Sequence, residues 1–418
     1  MLASAGLQLG GYAVDTRLRM QTRILNDYRI AIGALLAVPL ILAIALPLYF
    51  SGSPKLRART AAPSATIPAP ESGAGMVAQQ TPQSATPAVS TTNQPETQRI
   101  EAAIDGLLAG RDGVYGVVAA DPTSGARYSR NADVPFLAAS LYKLVLLADV
   151  HAAIEDGLIA PDTELPLLPE YFPGPDEPED SYFDASFVDG TIPISEALYA
   201  TGAYSSNVAA FALLALTDDA QLEAMARRLG MTHTYFHVQP TELAGWPPAT
   251  PTDADPAALS EAITFAEEQA GAGPLMLTTP RDIETYFSRL LAGNVVSPAV
   301  SATILETLKE QAVDDRFPCL LPPGVEMAHK TGNLDHVVHD VGIIWRPEGP
   351  VVLIAMVQDS PDDAEATLVI QRLAAIAYGL DQFPSIADAF ATPEISCGIV
   401  APFDSETSEP LATEEVDF

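Results

Sequence analysis

Residues 30–50, IAIGALLAVPLILAIALPLYF, carry no charged side chain. At 1.5 Å rise per residue, a helix of this length crosses a hydrocarbon core of about 30 Å. A helix buried in a soluble core normally keeps a polar stripe, and this segment has none. The reading is an uncleaved transmembrane anchor. A secretory signal competes with it, but such signals have a shorter apolar region and a small-x-small cleavage site, and none follows Phe50. Arg17, Arg19, Arg23 and Arg29 precede the segment, and Lys55, Arg57 and Arg59 follow it. The basic bias leans towards residues 1–29 in the cytoplasm and the rest outside. The expectation is a single-pass cell-membrane protein with its folded part outside the cytoplasm.

The anchor divides the rest of the chain. Residues 51–95 are rich in Pro, Ser, Thr, Ala and Gln and hold almost no large apolar side chains. They read as a linker that cannot bury enough surface to fold. A folded domain is expected over 96–385, and a loose acidic tail over 386–418. Across all 418 residues, 48% hydrophobic content excludes a wholly disordered protein. The 54 acidic and 21 basic side chains leave a formal charge of −33. That excludes nucleic acid as a partner, because there is no basic surface to release phosphate counterions. The membrane contact expected is the helix itself. Cys319 and Cys397 make no metal framework or disulfide scaffold, and whether they form one bridge is left open. The six histidines and the carboxylates show no zinc-ligand spacing, so no metal or other cofactor is expected.

Within the folded part, Ile100, Ile104, Leu107 and Leu108 recur at helical spacing and predict an opening amphipathic helix. GVYGVVAADPTSGARYSRN (113–131) predicts two strands around a turn at 121–125. SLYKLVLLADVHAAIEDG predicts a buried helix closed by Gly157. Residues 160–190 read as irregular. TIPISEALYATGAYSSNVAAFALLAL predicts two helices with a break near Gly202, and residues 245–275 an insertion with a short helix. EMAHKTG, HDVGIIW and VVLIAMVQ predict an antiparallel meander. The following helix is expected to take Ser360 as its cap and Gly379 as its stop. The fold class expected is α+β: an antiparallel sheet built from both ends of the domain and flanked by helices, plus an all-helical subdomain from its middle.

Three short elements can carry chemistry. Ser140 and Lys143 lie three apart at the start of an apolar helix and share a face. Burial lowers a lysine's affinity for its proton, and a serine hydroxyl needs such a base to become a nucleophile. Ser205 and Asn207, in YSSNVAA, sit at a helix break. Lys330, Thr331 and Gly332 lie on a strand, offering a cation, a hydroxyl and open space at the backbone. Singly, each has an ordinary explanation: a capping serine beside a snorkelling lysine, an N-cap, and a strand end.

Together and in this order, Ser-x-x-Lys, Ser-x-Asn and Lys-Thr-Gly resemble the signature of the penicillin-recognising serine acyltransferases. Residues 97 to about 385 resemble a class A β-lactamase. The resemblance extends through GVYGVVAADPTSGARYSRNADVPFLAAS, DGTIPISEALYATGAYSSNVAA, LTTPRDIETYFSRLLAGNVVS and DRFPCLLPPGVEMAHKTGNLDHVVHDVGIIW. It implies a β-lactamase/transpeptidase-like fold and a role for each motif residue. Ser140 is the nucleophile and Lys143 its base. Ser205 relays a proton to the leaving nitrogen, supported by Lys330. Asn207 binds the substrate's amide side chain. Lys330 and Thr331 hold the substrate carboxylate next to Gly332, with Arg316 as a second cation. The backbone N–H groups of Ser140 and Asn333 form the oxyanion hole.

Two positions depart from the resemblance. Ser206 stands in the middle of Ser-x-Asn, where β-lactamases usually have Asp. The Glu-x-x-Leu-Asn context of the deacylating glutamate is also missing. Aligned on Glu-Leu in HVQPTELAGWPP, the glutamate position falls at Gln239 and the asparagine position at Ala244. Glu242 is the candidate base, with Glu267 and Glu268 as alternatives. The activity expected is hydrolysis of β-lactams by a monomeric domain. The rival substrate is a D-Ala-D-Ala-type cell-wall peptide, handled by a peptidase-like or penicillin-binding enzyme. A non-hydrolytic sensing ectodomain is the third possibility.

Overall fold

The computed structural model describes residues 94–175, 178–239, 242, 252–270, 275–380 and 383–391. The expected anchor at 30–50, the linker as far as 93 and the tail beyond 391 lie outside these residues. Among the described residues no helix is long and apolar enough to cross a membrane.

Helix α1 (Gln94–Leu108) opens the described chain and buries Ile104 and Leu108. It leads into β1 (Val114–Ala120) and β2 (Arg127–Arg130). Asp121 shapes their turn by accepting the N–H groups of Thr123 and Ser124 on Oδ1. The short β3 (Phe136–Leu137) and a 3₁₀ turn (Ala139–Leu141) precede α2 (Tyr142–Glu155). The middle of the chain holds β4 (Glu164–Pro166) paired with β5 (Thr191–Pro193), then α3 (Ile194–Ala203), α4 (Asn207–Leu214) and α5 (Asp219–Arg228). Next come β6 (Tyr235–Val238), α6 (Pro256–Ala270), β7 (Leu275–Thr278), α7 (Pro280–Leu291) and α8 (Pro298–Lys309). The chain then forms the meander β8 (Met327–Leu334), β9 (Val337–Arg346) and β10 (Gly349–Gln358), followed by α9 (Asp363–Tyr378) and α10 (Ile386–Ala391).

The main sheet has the order β2-β1-β10-β9-β8 and is antiparallel throughout. Its alternating side chains feed two cores, because successive residues of a strand point to opposite faces. On β10, Val352, Ile354 and Met356 face one core, while Val351, Leu353, Ala355 and Val357 face the other. The first core is closed by α2, α3, α4, α7 and α8, and the second by α1 and α9. Strands buried on both faces explain why VVLIAMVQ is apolar throughout rather than alternating.

Three local expectations change. The cap of α9 is Asp362, whose carboxylate accepts from Ala364 and Glu365 N–H, while Ser360 donates to the Asp362 carbonyl. A carboxylate at the positive helix end outcompetes a hydroxyl two residues earlier. The break between α3 and α4 falls at 204–206, because Gly202 continues the helix against Thr307 of α8. The start of the expected loose tail is helical: Ile386 of α10 packs against the second core and Ala389 is buried. Cys319 is disulfide-bonded, and Cys397 lies outside the described residues.

Candidate active site

The turn before α2 is pinned by three hydrogen bonds. Leu137 N–H donates to the Gln358 side chain of β10, and Gln358 donates back to the Pro135 carbonyl. Ala138 N–H donates to Met276 of β7. These bonds hold Ala139 at φ +45°, in the left-handed region that non-glycine residues seldom occupy. Ser140 follows, half-buried on the 3₁₀ turn. Behind it, Lys143 to Ala148 are buried without interruption, so Lys143 enters the molecule as part of a core helix.

Lys143 is fully buried. Its ammonium donates to the Ser205 carbonyl at 2.6 Å and to Asn207 Oδ1 at 2.7 Å, and lies 3.4 Å from Ser205 Oγ. Burial pushes its pKa down to about 7, against the opposing charge of Asp180. Ser205 makes this geometry by standing at φ +57° between α3 and α4. Lys330, also fully buried, donates to Ser205 Oγ at 2.7 Å and to the Thr331 carbonyl at 2.8 Å. Its proton affinity falls well below that of an ordinary lysine, through burial first, then the charges of Lys143 and Arg316, with Asp340 opposing. Ser205 Oγ thus sits between two ammonium groups that each hold a proton weakly.

Strand β8 is an edge of the main sheet and packs against the turn that carries Ser140. A Cβ on Gly332 would lie 3.2 Å from Ala139 Cβ and 3.3 Å from the His339 ring. The glycine therefore lets the serine's own turn approach the strand, a protein contact where the sequence suggested room for a ligand. His339 is fixed below by Leu137 O and Val357 N–H, and burial pushes its pKa down to about 4, so it is neutral. Arg316 is 3% exposed, and its guanidinium donates to His339 O and to Asn333 Oδ1. It is placed to orient Asn333 from behind the strand. Thr331 is buried next to Lys330, and Asn333 is exposed.

The structure thus brings Ser140's turn, Lys143, Ser205, Asn207, Lys330, Thr331, Gly332 and Asn333 to one region. The candidate deacylating carboxylates stand differently. Glu242 is exposed and accepts Gln239 N–H within its own turn. Glu267 and Glu268 are exposed on α6, and the charge of Glu268 acts on Asp359 at the end of β10. Ala244 lies outside the described residues. Among the described residues no cluster of three or more His, Cys, Asp or Glu could hold a metal ion.

One residue of the site escaped the sequence reading. Asp180, in the irregular acidic segment, accepts from Ser206 Oγ and from the backbone N–H groups of Asn207 and Val208. The one available signal was the serine at 206 in place of an aspartate. Nothing in PDEPEDSYFD says which acid compensates.

A sequence model described as "Beta-lactamase enzyme family" matches residues 99–380. No curated protein matches the chain. Among solved structures, the chain is similar to an ancestral class A β-lactamase at 25% identity and TM-score 0.53, over 66% of this chain and 98% of that one. It is also similar to a β-lactamase from Xanthomonas campestris pv. campestris at 23% identity and TM-score 0.55, over 69% and 99%. PBP-A matches at 21% identity and TM-score 0.53, over 68% and 95%.

Proposed function

The chain belongs to the β-lactamase enzyme family, and from that premise we propose that it is a serine hydrolase opening β-lactams through an acyl-enzyme on Ser140. The observation that carries this reading is Ser205 Oγ held between Lys143 and Lys330, with Lys143 one helical turn after Ser140. Lys143, whose pKa burial pushes down to about 7, in its neutral form takes the Ser140 proton as Oγ attacks the lactam carbonyl. The N–H groups of Ser140 and Asn333 stabilise the oxyanion, a contact worth about 3–4 kcal/mol per donor. Ser205 passes its proton to the lactam nitrogen and is resupplied by its lysine neighbours. Asn207 Oδ1 accepts from Lys143, which leaves its NH₂ for the substrate's amide carbonyl. The substrate carboxylate pairs with Lys330 and Thr331, in an interior whose nearest charges are three cations and two carboxylates.

A second reading is a penicillin-binding or D-Ala-D-Ala peptidase-like enzyme. The Glu242 carboxylate, engaged in its own exposed turn, favours it. Without a positioned carboxylate to activate water, the acyl-enzyme forms and persists. Losing about 5 kcal/mol in the second step slows turnover several-thousand-fold. The charge-free segment at 30–50 supports a membrane anchor with this chemistry outside the cytoplasm.

Mixing the purified chain with a chromogenic cephalosporin, and following turnover and intact mass, separates the readings. Sustained turnover abolished by Ser140→Ala supports hydrolysis. A stable adduct on Ser140 without turnover supports the penicillin-binding reading. Neither adduct nor turnover rejects β-lactams as substrates. Unchanged deacylation in Glu242→Gln removes Glu242 from the mechanism.

A further inference from the structure

The turn that carries Ser205 and Asn207 is held by a carboxylate from elsewhere in the chain. Asp180 Oδ1 accepts from Ser206 Oγ at 2.8 Å and from the N–H groups of Tyr182 and Phe183 at 3.1 Å. Its Oδ2 accepts from Asn207 N–H at 2.8 Å and Val208 N–H at 3.1 Å. Asn207 and Val208 open α4, so their amides have no partner inside the helix. Ser206 links the two systems, because its hydroxyl also caps α4 by accepting Ala209 N–H at 3.1 Å. One carboxylate therefore fixes its own loop and the first turn of α4 together. Ser206 is buried, and its neutral hydroxyl brings no negative charge to this place itself.

The position of Asp180 matters because the turn it holds is strained. Ser205 stands at φ +57°, and in this conformation its carbonyl and hydroxyl both lie within reach of Lys143. A residue in this region costs about 1–3 kcal/mol and persists only where its surroundings over-determine it. We propose that Asp180 is a positioning residue for acylation: its carboxylate replaces the one absent from position 206 and holds Ser205 and Asn207 in register with Lys143. Its kinetic consequence rests on the acylation reading above, whereas its geometric consequence does not. The charged groups facing Lys143 are Asp180 from this loop and Lys330 from β8, with Asp340 and Arg316 behind Lys330.

The test uses the full chain. Its four lysines, Lys55, Lys143, Lys309 and Lys330, allow ¹³C-lysine NMR to follow Lys143 directly. Asp180→Asn keeps the shape and one acceptor but removes the charge. The Lys143 titration midpoint is expected to fall, since a negative neighbour no longer favours the ammonium. Asp180→Ala is expected to slow acylation by a chromogenic cephalosporin about 100-fold, the scale of a misplacement near 1 Å. The acid limb of the rate profile should shift with the Lys143 midpoint. Asp180→Ala combined with Ser206→Asp should recover at least tenfold of the loss, because the carboxylate then comes from the turn itself. A role confined to folding predicts a loss of stability, without a slowing of acylation per folded molecule that Ser206→Asp reverses. An unmoved Lys143 midpoint in Asp180→Asn, or a double variant no faster than the single one, overturns the proposal. If the parent chain is not acylated at all, the β-lactam reading fails, and the NMR midpoint alone decides the role of Asp180. If Asp180→Ala does not fold, Asp180→Asn and the double variant carry the same decision.

Discussion

At the scale of single residues, the proposed role of Lys143 as base ties the rate profile to a cost in stability. Its pKa near 7 means that the neutral base is lost as pH falls below that value. The acylation rate constant is expected to drop about tenfold per pH unit below 7 and to level off above it. A stopped-flow series from pH 5 to 9 checks this, and a flat profile across pH 7 rejects Lys143 as the base. The same shift has a defined sign for folding. The folded pKa lies below the unfolded value of about 10.4, so the unfolded chain binds more protons between the two. Stability therefore rises with pH across that window and is lowest near and below pH 7. At about 1.4 kcal/mol per pH unit, the burden near neutrality is on the order of 4 kcal/mol. Lys143→Met removes it and leaves the Ser205 carbonyl and Asn207 Oδ1 without that donor, at about 1 kcal/mol each. The expected net effect is a Tm raised by about 5 °C together with loss of acylation, read by calorimetry at pH 7. A Tm lowered by the substitution contradicts the view that the buried lysine is retained for chemistry at the expense of stability.

At the scale of elements, the strands and helices were legible where hydrophobic period decides them. The meander, the opening hairpin and the helix behind Ser140 follow from runs of apolar residues. The contacts that turn these elements into a site were not legible, since they depend on what meets across chain separations of up to 223 positions. Lys330 reaches Ser205 because β8 pairs with β9 in one register, Lys330 opposite Val341 and His329 opposite Gly342. Gly342 shows how tightly that register is held. A Cβ there would lie 2.3 Å from the Ala328 carbonyl oxygen and 2.7 Å from His329 Cα. Both are backbone atoms that cannot rotate away, so Gly342→Ala must push β8 off β9. A destabilisation of about 3 kcal/mol is expected, at the upper end for overpacking. Because Lys330 rides on the displaced strand, acylation should fall further than the loss of folded protein explains. Denaturant melts and rates per folded molecule separate the two effects, and parental kinetics in the folded fraction would falsify the coupling of register to site. Asp180 was illegible for a related reason: several acids lie in its segment, and loop conformation alone selects one of them.

At the scale of the whole molecule, the charge of the chain opposes the charge of its site. The formal net charge is −33, whereas Ser205 lies between the buried Lys143 and Lys330, with the Arg316 guanidinium behind β8. An anionic β-lactam approaching from solvent meets a repulsive field first, and the buried cations attract it only at close range. Salt screens these two terms unequally. The Debye length is about 30 Å at 0.01 M and about 10 Å at 0.1 M, so added salt removes the long-range repulsion while sheltered pairs keep most of their strength. The rate of capture of an anionic cephalosporin is therefore expected to rise severalfold between about 0.01 and 0.3 M ionic strength. This is the opposite of an enzyme that steers its substrate electrostatically, where capture falls as salt is added. A zwitterionic cephalosporin of similar shape feels little net field and should change by less than about twofold. Measuring kcat/KM, or the second-order acylation constant if turnover is slow, for both compounds across this range decides the matter. A rate for the anionic compound that falls with salt means that the local cations dominate beyond the cleft. The Tm provides an internal control, since screening the self-repulsion of an acidic chain should raise stability over the same range whichever substrate is used.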